Sequence, residues 1–292
     1  TVLTMTVVPI LGAGSSMADY RIGFKWWALI IAVVFVISEL VCVVCVPERP
    51  VACDEKPGKI SDMFKALFKN DQAMTVVVSI ILVYTSLNIC GNLVLYFFRF
   101  DVGNEGAYSI FAAVAFAAQV LVMMVIPLLR KRFSKSQLFI SGFIIQIAGF
   151  AVILIMAFAK LYTPQSWYIL CLPGILIYLG YGMLNVIMTI FLSDSVDYGE
   201  VMNGTREESV IFSMQTFTVK LASGVAVFLA GLVVDWIHLD TAAAVQTQDT
   251  LDALRMWMTI PSVILLIVGI FVFKRFYKLD DARMEEIKSK LN

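Results

Sequence analysis

The chain has 292 residues, 60% hydrophobic and 15% charged, with mean hydropathy +0.87 and no net charge. Soluble proteins average roughly 45–50% apolar and 25% charged residues, so the composition excludes a soluble domain and predicts an all-α integral membrane protein. A balanced charge offers no basic surface to nucleic acid.

A spanning helix needs about 20 predominantly apolar residues. The first apolar run, Thr1 to Gly12, has no charged stretch before it. It does not have the layout of a signal peptide; it reads as the tail of a helix, and the chain as an N-terminally truncated fragment. Seven complete spans are then predicted, near 24–46, 73–98, 107–129, 138–159, 166–193, 207–236 and 256–274. Residues 47–72 form the longest linker, opening with Pro47-Glu-Arg-Pro50. Within it, 60–69 has the spacing of a short amphipathic helix that lies on a membrane surface or against the bundle. The expected organisation is a partial helix and one complete helix over 1–46, a linker over 47–72, and a six-helix bundle with a tail over 73–292.

Most of the 22 Lys and Arg fall on one set of alternating connections: the 47–72 linker, Arg130 to Lys135, Arg206 and the C-terminal tail. The excess marks that face as cytoplasmic, with the C-terminus on the same side. Arg21, Lys25, Arg99, Lys160 and Arg255 belong to the opposite connections, and Lys220 alone is left inside a helix. The five cysteines include one CxxC, Cys42 to Cys45, without a second such pair or a histidine partner, so neither a metal site nor a disulfide framework is indicated. No nucleophile–base pair, metal cluster or phosphate loop points to an enzyme, and the single His238 reads as incidental.

Three predicted helices carry polar residues at one-turn spacing. Tyr84, Asn88, Asn92 and Tyr96 step by four, as do Tyr181, Asn185, Thr189 and Ser193. Ser209, Ser213, Thr216 and Lys220 fall at i, i+4, i+7 and i+11 of a third helix. Two readings stay open for the tyrosine and asparagine stripes: hydrogen bonding between packed helices, or a wet cavity whose neutral donors and aromatic faces suit a sugar. For Lys220 the functional reading leads, because an embedded amine costs about 2.5 kcal/mol or more on insertion scales. Glu39 is a second embedded charge, with its role open. Pro173, Gly174, Gly180 and Gly182 permit bending or close approach in the 166–193 helix. Asp194, Asp197 and Glu200 step by three beyond that span; with Arg206, Arg130 and Arg132 they are either a solvated helix end or a switchable charge lock on the cytoplasmic face.

Asp194-Ser-Val-Asp-Tyr-Gly-Glu200, Arg206-Glu-Glu-Ser209 and Gln215-Thr-Phe-Thr-Val-Lys220 resemble the tenth-to-eleventh helix region of the glycoside–pentoside–hexuronide:cation symporters, the melibiose permease-like branch of the major facilitator fold. The resemblance covers the whole chain, from late helix five to helix twelve: the end of the N-terminal bundle and the C-terminal six-helix bundle. It implies a multi-pass inner-membrane symporter, monomeric when full length, that moves a sugar or glycoside with Na⁺ or H⁺ by alternating access. It implies no cofactor, with the cation held mainly by helices two and four, which this chain lacks. It places Lys220, Thr216 and Gln215 at the sugar cavity and Asp194, Asp197, Glu200 and Arg206 in a network joining the two bundles. Asn185 replaces a tryptophan near the sugar, so which sugar is moved is left open. Asn88, Asn92 and Tyr84 complete the expected substrate wall. At about 100° per residue, Gln215 projects some 140° from Lys220, which makes Thr216 and Lys220 the stronger pair. The alternatives are a non-transporting membrane sensor or scaffold, and an exporter of another small polar metabolite.

Overall fold

The computed structural model describes residues 7–8, 11–12, 17–45, 68–204, 208–241, 243 and 245–291. Most of the first apolar run, the linker from 47 to 67 with most of its amphipathic segment, and Arg206 lie outside the described residues. The chain divides into two compact units, Thr1–Gly58 and Lys59–Asn292. The first contains α1, Met17–Cys45, a 29-residue apolar helix that carries Glu39. The second contains α2, Asp71–Tyr96, prolonged by a π-helical turn at Phe97–Asp101. After it come α3 (Ala107–Leu129), α4 (Lys135–Phe158), α5 (Cys171–Asn203), α6 (Glu208–Trp236), α7 (Gln248–Phe276) and the short α8 (Asp281–Leu291).

The described residues are helical, with no strand, and seven helices are long and apolar enough to cross a membrane. Local chemistry sets their ends. Asn70 accepts from the Ala73 amide and starts α2, and Thr247 does the same for α7 through Thr250. Ser134 and Gln137 form a reciprocal capping box at the start of α4. Gly204 ends α5 at φ 74°, a left-handed conformation that favours glycine.

Two expected boundaries change. The helix expected to stop at 193 continues to Asn203, so Asp194 to Glu200 forms its last turns. Gly199 lies within it, close against the Asn70 side chain: an added Cβ would stand 2.8 Å from the Asn70 side-chain nitrogen. The last span begins at Gln248 rather than 256, which draws Arg255 into a helix and away from the surface connections.

In the second unit α2 packs against α6 and α7, and α5 packs against α3 and α4. Lipid tails are as apolar as leucine, so close packing rather than the hydrophobic effect holds such helices together. On α6 the small residues Ala222, Ala226 and Ala230 form the buried face. Where α4 meets α5, a Cβ on Gly180 would lie 2.6 Å from the Gln146 amide nitrogen and the Gly142 carbonyl oxygen. Midway along α2 and α7, Ser86 and Ser262 exchange bonds, each hydroxyl donating to the other's carbonyl at 3.1 and 2.8 Å. Aromatic rings fill one end: Phe139 lies 4.5 Å from Phe273, and Phe191 lies 4.4 Å from Tyr277, between ring centres.

Candidate solute-binding face and charged clusters

The predicted polar stripes meet where α2, α5 and α6 approach. Asn185 of α5 donates to the Tyr84 hydroxyl of α2 at 2.6 Å. Tyr84 meets Tyr181 edge to face, with ring centres 5.6 Å apart. Asn88 and Asn92 donate back along their own helix, to the carbonyls of Tyr84 and Asn88, each at 2.7 Å. The Asn88 side-chain oxygen accepts from the Ser223 hydroxyl of α6 at 3.5 Å. Tyr84, Asn185, Asn88 and Ser223 thus form one linked polar wall on three helices.

Lys220 lies one turn before Ser223 and is exposed, as is Thr216, whose hydroxyl is turned back to the Phe212 carbonyl at 3.3 Å. Gln215 is only half-buried, one step round the helix from Thr216. Lys220 stands about 18 Å along a helix about 43 Å long, well inside the span. Among the described residues it has no ion-pair partner. α6 leaves the amine free because it packs on α2 through its alanine stripe, which turns the opposite face outward.

The charges at the other sequence-predicted positions are arranged differently. Asp194 is buried and accepts from Lys135, each side chain 7% exposed. The Asp281 carboxylate of α8 lies 3.5 Å from the Lys135 amine and 3.4 Å from the Arg130 guanidinium. Tyr277 is packed beside this cluster with its hydroxyl buried and unpartnered. Burial, then the charges of Asp194 and Asp281, push its pKa well up. Nearby, Asn70 donates to the Ser195 carbonyl at 2.7 Å, tying the start of α2 to the same stretch of α5. Asp197 and Glu200 are half-buried further along α5, and Arg132 is exposed. Of the residues expected to form a charge lock, the structure links Asp194 and Arg130 through Lys135 and Asp281, two residues not singled out from the sequence.

A second cluster was also missed. Arg255 donates through two nitrogens to the two Asp101 oxygens at 2.7 and 2.5 Å, with side chains 3% and 4% exposed. A third bond reaches Asp252 at 2.7 Å, and the Tyr162 hydroxyl donates to Asp101 at 2.7 Å. Burial, then the adjacent Asp101 charge, push the Tyr162 pKa well up. The one available signal was a charge within a helix turn of an apolar run, at Asp101 and again at Arg255.

The family model described as MFS/sugar transport protein matches residues 1–281. The chain belongs to that family. The family consists of transporters, and this member is a multi-pass membrane protein. It is 24% identical over 99% of its length to a protein named raffinose carrier protein from Pediococcus pentosaceus, covering 45% of that protein. It is 24% identical over 95% of its length to a protein named isoprimeverose transporter from Lactiplantibacillus pentosus, covering 56% of it. It is 25% identical over 80% of its length to a protein named uncharacterized symporter YjmB from Bacillus subtilis, covering 49% of it. The chain spans about half the length of these curated relatives. The melibiose permease-like resemblance drawn from the Asp194–Lys220 motifs agrees with this membership.

Proposed function

We propose that this member serves the cation-coupled symport of a sugar or glycoside across the cell membrane by alternating access, with Na⁺ or H⁺ as the coupling ion. One observation carries the reading: an exposed amine, Lys220, deep in a membrane-length helix and one turn before Ser223, which joins a linked wall of neutral polar groups. A bare amine at that depth faces a cavity or a polar partner rather than lipid. Neutral amides and phenols with aromatic faces suit a polyhydroxylated, uncharged solute. Names of relatives that refer to raffinose and isoprimeverose support the solute class. In this reading the Lys/Arg-rich connections and the C-terminus face the cytoplasm, and the protein is not an enzyme.

The test is sugar uptake by the full-length protein in proteoliposomes under an imposed Na⁺ or H⁺ gradient. The expected result is gradient-driven accumulation that Lys220→Ala reduces at least about tenfold, the scale of about 1.4 kcal/mol. Normal accumulation by that variant would sink the role given to Lys220. Signalling without flux would favour a sensor, and efflux alone would favour an exporter.

A further inference from the structure

We propose that the loop between α3 and α4, together with α8, forms a binding pocket for the phosphate-bearing headgroup of an anionic phospholipid. A cavity of about 470 Å³ opens there, lined by Arg130, Lys131, Arg132, Lys135 and Lys288 against the carboxylates of Asp281 and Glu285. Five cations facing two carboxylates leave an excess of positive charge. The first turn of α4 opens on the same space through Ser134, and its amide dipoles add to the positive potential.

The cations divide in a way that points outward. Arg130 and Lys135 are engaged with Asp281, and Lys135 also with Asp194. Lys131, Arg132 and Lys288 are exposed and have no carboxylate within ion-pair distance among the described residues. They are the groups left to bind an anion.

Position favours a lipid over a soluble phosphate. The α3 span ends at Leu129 and the α4 span begins at Lys135, so the pocket sits at the level where spanning segments leave the bilayer. Lipid phosphates lie in that layer. Phe133, 43% exposed on the pocket rim, is suited to contact the upper acyl chain. Basic pockets between spanning helices are an expected form of headgroup site. The proposal rests on the membrane-spanning reading of α3 and α4, and not on the sugar assignment or on Lys220.

The experiment is native mass spectrometry of the detergent-purified protein titrated with dioleoyl-phosphatidylglycerol and, separately, dioleoyl-phosphatidylethanolamine. Wild type is expected to retain the anionic lipid at least about tenfold more strongly. At about fivefold per surface charge, Lys131→Gln/Lys288→Gln lowers phosphatidylglycerol affinity about twenty-fivefold. These side chains are exposed and leave the Lys135–Asp194 pair intact. Lys274→Gln/Arg275→Gln removes the same charge from the end of α7, away from the pocket lining, and is expected to leave lipid preference unchanged. Equal losses in the two double variants would show general surface attraction and overturn the pocket. No preference in wild type would overturn it as well. Binding of millimolar inorganic phosphate without phosphatidylglycerol preference would overturn the lipid assignment in favour of a soluble anion.

Discussion

At one end of the bundle Arg255 grips Asp101 through two bonds, with both side chains almost fully enclosed. At the other, the Lys135–Asp194 pair is nearly as buried, yet its connections run out to Asp281 and Arg130, which are 43% and 29% exposed. The two sites lie at opposite ends of α2 and its π-helical extension, a stretch about 46 Å long at 1.5 Å per residue: Asp101 closes the extension, while Asn70 at the start of α2 bonds to Ser195 beside Asp194. The difference follows from the cations. A guanidinium fixes a carboxylate in a planar fork, whereas an ammonium is a rotatable point charge that can serve several acceptors. The first site also has Tyr162 and Asp252 completing its bonds; the second holds an unpartnered Tyr277 hydroxyl and extends into the C-terminal helix. One end is built as a closed joint, the other as a graded network that can be rearranged from its exposed side.

That contrast is breakable by substitution. Arg255→Met strands a buried carboxylate and is expected to cost about 3–5 kcal/mol, the scale for breaking a buried pair. Thermal unfolding in detergent measures it, and Asp101→Asn on that background is expected to recover part of the loss. An Arg255→Met change without effect would mean that water reaches Asp101. Lys135→Met also leaves a buried carboxylate, with Asp194→Asn as its rescue. Its cost is expected to be about 2–3 kcal/mol, smaller because the network opens towards solvent on one side. A larger loss here than at Arg255 would reverse the ranking.

Asp281→Asn probes the exposed part of the same network. The expected effect is at most about 1 kcal/mol, weakened by added salt, as for a partly exposed pair. The smallest effect concerns protons. The Tyr162 and Tyr277 hydroxyls both have pKa values raised above the ordinary tyrosine value, first by burial and then by nearby carboxylates. The folded state therefore holds these protons more tightly than the unfolded state. Their stabilisation is complete below about pH 10 and is lost as pH rises beyond it towards the folded values. Ultraviolet titration is expected to show both tyrosines ionising later than free tyrosine, and Asp194→Asn to bring Tyr277 partway back.

The spans were legible because about 20 consecutive apolar residues leave few other readings. The exposed face of α6 was legible too: Thr216 and Lys220 are four apart, and helical period alone aligns them. The two buried ion pairs were not. Lys135 and Asp194 are 59 positions apart, and Asp101 and Arg255 are 154 apart. Residue spacing reports neighbours on one helix and says nothing about which helices meet. The same limit made Asn88 and Asn92 ambiguous. Their period was visible, while the return of both amides to their own backbone depends on side-chain conformation. The helical nature of Asp194 to Glu200 was obscured by its charges; α5 runs on through them to Asn203, with Gly199 lying close against Asn70.

Pro261 lies within the continuous α7 just before Ser262, whose hydroxyl and carbonyl are both shared with Ser86 of α2. A proline removes one backbone donor and softens a helix against bending. Here the soft point and the cross-helix serine contact coincide at mid-length. The arrangement has the layout of a fulcrum: a flex of α7 at Pro261 would tilt its two arms in opposite senses while the middle stays pinned to α2. Displacement at one end would then be returned at the other, through a pivot made of two serines.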